Sequence, residues 1–520
     1  MLVSRTTFVK NLSHLFGLLA FLTGTLLYGQ FESATVLGTI HDPSGAIVAN
    51  GAVSLENTKT AVTLTTKTDG NGNYEFINVR LGSYHVRVEA PGFQTSTTEP
   101  FDLVVNARQR VDLSLVVGQT SQNVTVSDAA ALLETDNSSR GQVINPKQMV
   151  DLPLNGRSYA DLTLLVPGVA KSPLQNQGDS SRDASFNVNG QRSELNNFLL
   201  DGVDNNAYGT SNQGFSNQVI QPNPDALAQF KVETDNYSAE YGRATGAVIN
   251  ATIKSGTNQL HGTLWEFLRN TELNATGFFK PQNGVKPPFK QNQFGAALGG
   301  PIVKNKIFVF GDYEGFRRVY NPLQYATLPT APMKQGTLGM AVRNPITGVL
   351  YSDGKVPQSA ITPFAQTVLA ALPDPNLPGN ANNYQSAPAD TIYSDKGDIR
   401  YDEYFGEKLS FFARYSQGDQ RIFSPAAIPG PSGGNANGNV YIRNKQLVPG
   451  FTWAITPTSV LEFRIGLSST EGGKTPIGLG LPASQYNIPN LPTNSTFAGG
   501  LYSLNLQGGL SALGRQSSNP

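Results

Sequence analysis

The chain has 520 residues and carries 38 lysines and arginines against 38 aspartates and glutamates, a balance that argues against the basic surface of a nucleic-acid-binding protein. It has no cysteine, which excludes disulfide frameworks, thiolate zinc sites, iron–sulfur clusters and cysteine nucleophiles. Its 53 glycines, 33 prolines and 15% charged residues are typical of a chain rich in strands and turns, and its length predicts about three domains.

The N-terminus has the pattern of a secretory signal. Arg5 and Lys10 precede an apolar run at Leu15–Leu27. This run has the length of a signal-peptide core and is shorter than the roughly 20 residues of a membrane-spanning helix. We therefore expect residues 1–29 to be a signal that is cut near Gly29, and the mature chain to lie outside the cytoplasm. An uncleaved anchor is the alternative.

Residues 35–117 predict a small β-sandwich, because short strand patterns alternate with turn residues such as Asp42–Gly45 and Pro91–Gly92. The spacing of Asp69, Asn71 and Asn73 also opens a calcium loop, but the loop would need glycine and glutamate further on. A hairpin turn is therefore favoured there. The predicted strands are Val36–Ile40, Ala52–Asn57, Ala61–Thr66, Tyr74–Asn78, Ser83–Ala90, Glu99–Val104 and Val111–Val116.

Four motifs in this segment resemble the carboxypeptidase regulatory-like domain. They are Gly38–Ala46, Thr68–Tyr74, Gly82–Tyr84 and Ala90–Phe93. The resemblance implies a transthyretin-like sandwich, of a kind also grouped with carbohydrate-binding-like folds. It implies no peptidase activity, because the family domain is an accessory module.

The segment from 118 to 258 predicts a mixed α+β domain after a linker. Its expected order is a helix, two strands, the turn at Asp201 and Gly202, a second helix and a further strand. In that order the elements are Tyr159–Leu165, Phe186–Asn189, Asn197–Leu200, the turn, Pro224–Gln229 and Phe230–Glu233.

This order of motifs resembles the plug of TonB-dependent outer-membrane receptors, most closely the Oar-like group. The motifs are Asn187–Arg192, Leu200–Asp204, Glu240–Arg243 and Lys254–Asn258. The resemblance marks as plug-motif residues Asn189, Gly190, Arg192, Asp201, Gly202, Tyr241, Gly242 and Arg243. It also implies a TonB box ahead of the plug, for which the nearest candidate is Val124, Thr125 and Val126. An ordinary linker strand is the alternative for that stretch.

Residues 259–520 show the alternation of membrane strands, with apolar residues on one face and polar or small residues on the other. Leu461, Phe463, Ile465 and Leu467 alternate with polar or small neighbours, whereas Phe412 breaks a similar pattern. Short turns alternate with long polar stretches, as in outer-membrane barrels. Four aromatic residues are expected in interfacial girdles, with the core of a soluble sandwich as the alternative; they are Trp265, Phe267, Phe451 and Trp453.

About seven strands are predicted here. They are Leu260–Arg269, Phe289–Gly300, Lys306–Phe316, Asp398–Tyr404, Lys408–Gly418, Leu447–Ile455 and Val460–Ser468. An open sheet in lipid leaves backbone groups unsatisfied, and a barrel of eight strands is filled by its own side chains. The resembled family closes its barrel with about 22 strands. We therefore expect the chain to be an N-terminal fragment or a truncated reading frame.

The sequence matches the known motifs of catalysis and cofactor binding poorly. Residues 468–475 resemble a phosphate loop but lack its first glycine, and the four histidines do not have metal-ligand spacing. Asp201 and Asp204 are better explained as turn residues than as an acid/base pair. We expect no enzyme activity, cofactor or metal.

The sequence thus predicts a mainly β protein of the Gram-negative outer membrane: a signal at 1–29, a periplasmic sandwich at 35–117, a plug at 118–258 and a partial antiparallel barrel at 259–520. The resemblance implies active uptake or export of a large or scarce substrate, energised by the inner-membrane TonB complex. The expected partners are that complex, outer-membrane lipid and a glycan or siderophore ligand, with no nucleic acid. The alternative function is a secreted or surface polysaccharide-binding adhesive protein without transport activity.

Overall fold

The computed structural model describes residues 34–118, 123–126, 138–172, 185–208, 217–242, 244–275, 284, 286–430, 433, 438–456, 459–475, 477, 501–506 and 508–514. The predicted signal at 1–29 lies outside these residues. In the described ranges, each helix is too short or too polar to serve as a transmembrane segment.

The first unit, called the sandwich (residues 34–118), consists of two facing sheets. Its strands are β1 (Ala34–His41), β2 (Ala52–Asn57), β3 (Thr63–Lys67), β4 (Asn73–Val79), β5 (Gly82–Glu89), β6 (Thr95–Thr98), β7 (Phe101–Leu103), β8 (Arg108–Arg110) and β9 (Leu113–Ser114). One sheet has the order β4-β1-β8 with β9 also beside β1, and the other has β6-β5-β2-β3 with β7 beside β5. Alternating residues such as Val36, Leu55 and Val86 fill the core between them.

Two details of the sandwich correct the sequence analysis. Strands β6 and β8 were missed because their sequences, Thr-Ser-Thr-Thr and Arg-Gln-Arg, have no apolar alternation. The turn at Asp69 is present, and its Oδ1 accepts the backbone N–H groups of Asn71 and Asn73 at 2.8 Å each. It is not a hairpin, because it carries the chain from β3 in one sheet to β4 in the other.

A short strand, β10 (Asn123–Val126), follows the sandwich and pairs in parallel with β6 at the edge of the second sheet.

The second unit, called the middle unit (residues 138–253), is a mixed sheet with short helices. Its elements are β11 (Arg140–Ile144), α1 (Pro146–Asp151), a 3₁₀ helix (Tyr159–Leu165), β12 (Val169–Lys171), β13 (Phe186–Val188), a 3₁₀ helix (Ser193–Leu195), β14 (Asn197–Leu200), β15 (Val203–Asp204), β16 (Leu227–Asp235) and β17 (Val248–Ile253). The main sheet has the order β11-β16-β17-β14-β15, with β14 parallel to β17. One face of this sheet, which includes Phe198, Phe230 and Ile249, packs into an apolar core.

The helix predicted at Pro224–Gln229 is wrong. Asn223 begins a turn there, since its Oδ1 accepts the N–H of Ala226 at 2.9 Å, and β16 starts at Leu227. Helix α1 was missed, although Asn145 and Gln148 form a capping box at its N-terminus.

The third unit, called the strand wall, is an antiparallel sheet. Its strands are β18 (His261–Asn270), β19 (Phe289–Val303), β20 (Ile307–Tyr320), β25 (Asp390–Phe405), β26 (Leu409–Ser424), β27 (Gly438–Thr456), β28 (Ser459–Arg464) and β29 (Leu467–Thr475). Among the described residues the order is β18-β19-β20-β25-β26-β27-β28. Strands β28 and β29 both pair with β27, so they are two parts of one strand interrupted at Ile465 and Gly466.

The connection between β20 and β25 folds as a separate layer at one end of the wall. It contains β21 (Gln324–Ala326), α2 (Ala331–Lys334), β22 (Val342–Arg343), β23 (Leu350–Tyr351), a 3₁₀ helix (Gln358–Ala360), α3 (Pro363–Ala371) and β24 (Tyr384–Ser386). Leu328 and Val368 of this layer share an apolar cluster with Ile428 and Leu501. The opposite end of the wall has short turns, such as the one between β25 and β26.

The two faces of the wall differ in the way the sequence predicts. Apolar side chains on the outer face are exposed, and among them are Leu264 (87%), Ile399 (60%) and Phe463 (52%). The inner face packs against the middle unit, and Ala297 and Phe310 join that unit's core.

The girdle prediction is wrong for two of its four aromatic residues. Trp265 and Phe267 lie on the inner face, where both rings contact the guanidinium of Arg157 in the middle unit, 5.2 and 4.8 Å from it. Phe451 lies on the outer face and stacks on Phe463, with ring centroids 5.6 Å apart. Trp453 shares that face and is 44% exposed.

Candidate functional site

The hairpin between β14 and β15 attaches the middle unit to the strand wall. Asp201 and Gly202 at its tip have φ angles of 50° and 71°, which a tight two-residue hairpin requires and which aspartate and glycine tolerate. The Asp201 carboxylate is buried and forms ion pairs with Arg400 (Oδ1 to Nη1, 2.7 Å) and Arg414 (Oδ2 to Nε, 2.5 Å) of the wall. It also accepts the N–H of Ile253 at 3.1 Å. Asp201, predicted as a turn former and as a plug-motif residue, is therefore also a main charged contact of the middle unit with the wall.

The wall supplies matching charges because residues two apart on a strand share a face. Arg400 pairs with Asp402 on β25, with 3.1 Å between Nε and Oδ2. Arg414 on β26 is fully buried and donates to Gln446 at 2.7 Å, and Arg464 on β28 donates to the backbone carbonyl of Asp201 at 3.3 Å. Because charges in such surroundings are tolerated only when paired, the cluster fixes the hairpin in one position.

Phe412 explains why one strand departs from the predicted alternation. Its ring faces inward, and three guanidinium groups lie over it: Arg400 at 5.2 Å, Arg464 at 5.6 Å and Arg80 of the sandwich at 5.8 Å. An aromatic face attracts cations, so a phenylalanine is suited to this position on an otherwise polar face.

A second charged contact surrounds Arg157 of the middle unit, whose φ is 52°. Its Nε donates to Glu314 of β20 at 3.0 Å, and its Nη2 contacts Asp225. Glu314 is in turn held by Lys396 at 3.1 Å and by Gln293 at 3.0 Å. The two charged contacts hold the middle unit to different strands of the wall.

The sandwich contacts both other units. Asn106 donates to the hydroxyl of Tyr241 in the middle unit, and Gln229 donates to the carbonyl of Leu103 at 3.4 Å. Burial, with Glu233 nearby, raises the pKa of Tyr241, so its hydroxyl stays neutral. Thr65 donates to Glu407 at the short turn after β25, at 2.9 Å.

The remaining predicted residues lie elsewhere. Asn189 and Gly190 form a turn after β13 with φ angles of 49° and 79°, and Asn189 donates to the carbonyl of Thr234 at 2.9 Å. Arg192 and Gly242 are exposed, and Arg243 lies outside the described residues. Among the described residues, the plug motifs thus serve separate contacts and do not all line one pocket.

The candidate TonB box has a backbone partner. Val124, Thr125 and Val126 form most of β10 and lie opposite Ser96, Thr97 and Thr98 of β6. The structure describes their backbone only.

A cavity of about 490 Å³ lies where the three units meet. Its lining includes Arg80, Lys254, Arg400 and Arg464. Burial lowers the pKa of Lys254 despite the nearby Asp225, and its ammonium donates to the Asp225 carbonyl at 2.7 Å. Metal-ligating clusters of three or more groups are absent from the described ranges. The arrangement is suited to holding domains together.

Four residues of these contacts were not predicted as functional from the sequence: Arg80, Arg157, Arg400 and Asp402. For the wall residues a sequence pattern could have indicated a charged inner face, because charged residues recur two apart on predicted strands, as in Arg400 and Asp402. Their partners in the middle unit and the sandwich are more than a hundred residues away in sequence, so pattern alone does not pair them.

Three family profiles match the chain in succession. The carboxypeptidase regulatory-like domain matches residues 35–116, the TonB-dependent receptor plug domain matches 133–248, and the outer membrane beta barrel domain matches 252–520, more than half of the chain. The TonB-dependent transporter Oar of Myxococcus xanthus is 28% identical over 313 residues, which cover 55% of this chain and 27% of Oar. The chain belongs to the outer membrane β-barrel family, as an Oar-like TonB-dependent receptor. The expected fold class and outer-membrane location are thereby confirmed, and the receptor stands among transporters and receptors rather than enzymes.

Solved structures similar to the receptor include the outer membrane transporter YddB from Escherichia coli (12% identity, TM-score 0.42, covering 64% of this chain and 39% of that one). A mutant of the ferric enterobactin receptor PfeA from Pseudomonas aeruginosa is also similar (14% identity, TM-score 0.39, covering 70% and 44%). The receptor chain spans about a quarter of the length of Oar and less than half of these two chains.

Proposed function

We propose that this receptor is an active transporter of the outer membrane, in which the middle unit closes the lumen and a TonB-type inner-membrane complex supplies the energy. One observation carries the proposal: the wall is apolar and exposed on its outer face, while its inner face holds a folded unit by buried ion pairs. A wall of this kind separates lipid from a polar interior.

The outer face fits lipid better than water. Leu264, Leu298, Ile399 and Phe463 are each more than half exposed and come from different strands. Soluble proteins rarely leave apolar patches that extend across a whole sheet. This face therefore favours the transporter over the secreted adhesive protein.

The inner contacts suit a unit that moves. Ion pairs such as Asp201 with Arg400 join groups that water also solvates well. Most of the apolar core lies inside the middle unit, and among the described residues the wall adds only Ala297 and Phe310 to its buried residues. A ligand outside and a pull from inside would then each favour particular positions of the middle unit. The energy for the change comes from the partner complex.

The orientation rests on the short turns. In outer-membrane barrels the short turns face the periplasm. Thr65 of the sandwich contacts Glu407 in the short turn between β25 and β26. We therefore place the sandwich in the periplasm, together with β10, on the side from which a TonB-type protein pairs with an extended segment. The ligand, a glycan or a siderophore in this proposal, binds at the opposite end, near the layer between β20 and β25.

The outer-membrane location of the receptor and the closure of its lumen by the middle unit are tested with the gene product expressed in its native cells. We expect it in the outer-membrane fraction, with release only by detergent. Deleting residues 138–253 should make the cells sensitive to vancomycin, which an intact outer membrane excludes. A protein that is soluble without detergent, or a deletion that is correctly assembled yet leaves sensitivity unchanged, contradicts the proposal.

Coupling is tested by a photo-crosslinking amino acid at position 124, with Asp42 in an exposed sandwich turn as the matched control position. We expect position 124 to capture the TonB-type protein and position 42 not to do so. Equal capture at both positions would assign β10 to an ordinary linker.

A further inference from the structure

Asp402 on the inner face of the wall joins all three parts of the receptor. Its carboxylate has no exposed surface and lies 2.5 Å from Nη1 of Arg80 in the sandwich. Ser255, just after the middle unit, donates to the same carboxylate at 2.7 Å, and Arg400 lies 3.1 Å away. One buried group therefore has partners from the sandwich, from the link between middle unit and wall, and from the wall itself.

Arg400 connects this junction to the hairpin of the middle unit. It is shared between Asp402 and Asp201, with 2.7 Å between its Nη1 and the Asp201 Oδ1. Arg80 is the contribution of the sandwich to a group of linked ion pairs that, among the described residues, joins four carboxylates and four guanidinium groups. The carboxylates are Asp201, Asp398, Asp402 and Glu462, and the cations are Arg80, Arg400, Arg414 and Arg464.

Removing Arg80 takes away one of the two cations that pair with Asp402. The loss is unfavourable because water does not solvate this buried carboxylate. Asp402 keeps Arg400 as its remaining cation, so Arg400 is drawn toward Asp402 at the expense of Asp201. The hold of the wall on the hairpin therefore weakens when the sandwich leaves.

The contact of the sandwich is polar and incompletely filled, so its separation is not opposed by a large apolar area. Its bonds to the middle unit come from Asn106 and Gln229. The sheet face that carries Gln229 also carries Lys231, Glu233 and Asn250, each less than a tenth exposed. Besides the cavity of about 490 Å³, another of about 240 Å³ separates the sandwich from the wall. Polar contacts between domains are typical of domains that move relative to each other.

We propose that Arg80 is a releasable latch: docking of the sandwich through Asp402 strengthens the wall's hold on the Asp201 hairpin, and undocking loosens that hairpin. Because coupling is reciprocal, displacement of the hairpin also weakens docking of the sandwich. This mechanism concerns movement within the chain and holds whatever the transported ligand is.

The chain has no cysteine, so two reporters can be introduced separately. Cysteines at Thr65 and Glu407, joined by a short bifunctional maleimide, report docking of the sandwich. A cysteine at Val203, which packs against Phe412 and Val448 of the wall, reports release of the hairpin through its rate of maleimide labelling. Both are measured in isolated outer membranes without ligand or energy source, so failure of the transport proposal does not decide the result.

In the Arg80→Gln variant we expect crosslinking to fall severalfold and labelling at position 203 to rise about tenfold, as loss of one partner from a buried cluster implies. Arg80→Lys keeps the charge and should restore most of both signals. Arg87→Ala is the matched control, since Arg87 pairs with Glu89 on the sandwich surface and both are nearly half exposed. Migration on unheated gels confirms that each variant is folded.

The latch is overturned if crosslinking falls while labelling at position 203 stays at the wild-type rate, because the sandwich has then undocked without loosening the hairpin. It is also overturned if Arg80→Gln changes neither signal, or if Arg87→Ala changes both equally.

Discussion

Replacing Asp201 by asparagine removes one buried charge and keeps the shape of the hairpin. Asparagine tolerates the φ of 50° at this position, and its side-chain oxygen can still accept the N–H of Ile253. The change therefore separates the ion pairs with Arg400 and Arg414 from the turn itself. We expect the middle unit to be held less tightly by the wall while the fold is preserved.

The free-energy cost of Asp201→Asn follows from the burial of its ion pairs. Removing one partner of a buried ion pair costs about 3–5 kcal/mol, because the other charge stays uncompensated. Arg414 is fully buried but keeps Gln446, and Arg400 keeps Asp402, so the lower end, about 3 kcal/mol, applies here. This corresponds to roughly a hundredfold increase in the fraction of hairpins released from the wall.

Maleimide labelling of a cysteine at Val203 measures that fraction. The rate should rise about a hundredfold in Asp201→Asn, up to the rate of an exposed thiol. Asp204→Asn makes the same chemical change in the same hairpin at an exposed carboxylate, and its rate should stay within about threefold of wild type. Equal rates in both variants would refute the assignment of Asp201 as the charged anchor.

Three further perturbations probe other contacts. Arg157→Ala leaves Glu314 with Lys396 as its remaining cation and should weaken the second charged contact by about 3 kcal/mol. Vancomycin should then inhibit growth at a severalfold lower concentration, and an unchanged inhibitory concentration argues against the contact. In Gly256→Ala the new methyl group would lie 2.5 Å from two backbone carbonyl oxygens, whereas in Gly418→Ala its nearest neighbour is 3.9 Å away; only the first should lower the yield of folded receptor on unheated gels. Hydrogen bonds from the backbone N–H groups of Asn73 and Asn71 lower the pKa of Asp69 below 3.8. The stabilisation of the turn by the Asp69 carboxylate is therefore present above pH 3.8 and is lost as the pH falls through the lowered pKa. Amide protection in the turn should decrease over that pH range in wild type and be low throughout in Asp69→Ala.

Local sequence patterns predicted strands and turns correctly where a single physical rule determines the local structure. The alternation of Leu461, Phe463 and Ile465 with polar neighbours predicted an outer apolar face, because side chains on a strand point to alternate faces. The pair Asp201 and Gly202 predicted a tight turn because few residues adopt positive φ. The predicted helix at Pro224–Gln229 failed because a side-chain bond from Asn223 and pairing of β16 with β11 and β17 outweigh local helix propensity.

Local sequence patterns could not predict which residues far apart in the chain are in contact. Trp265 has the sequence context of a girdle residue, yet it faces inward because Arg157, more than a hundred residues earlier, lies over its ring. Phe412 breaks an alternating pattern for the same kind of reason, since three arginines from two different units meet there.

By itself, the sequence determined the order of the three units, their strand-rich character and the sidedness of the wall, because periodicity and turn chemistry act between neighbours along the chain. Only the tertiary structure decided which charges meet. The energy of a buried ion pair depends on the distance and burial of groups such as Arg80, Asp402 and Asp201, and no local pattern encodes either quantity.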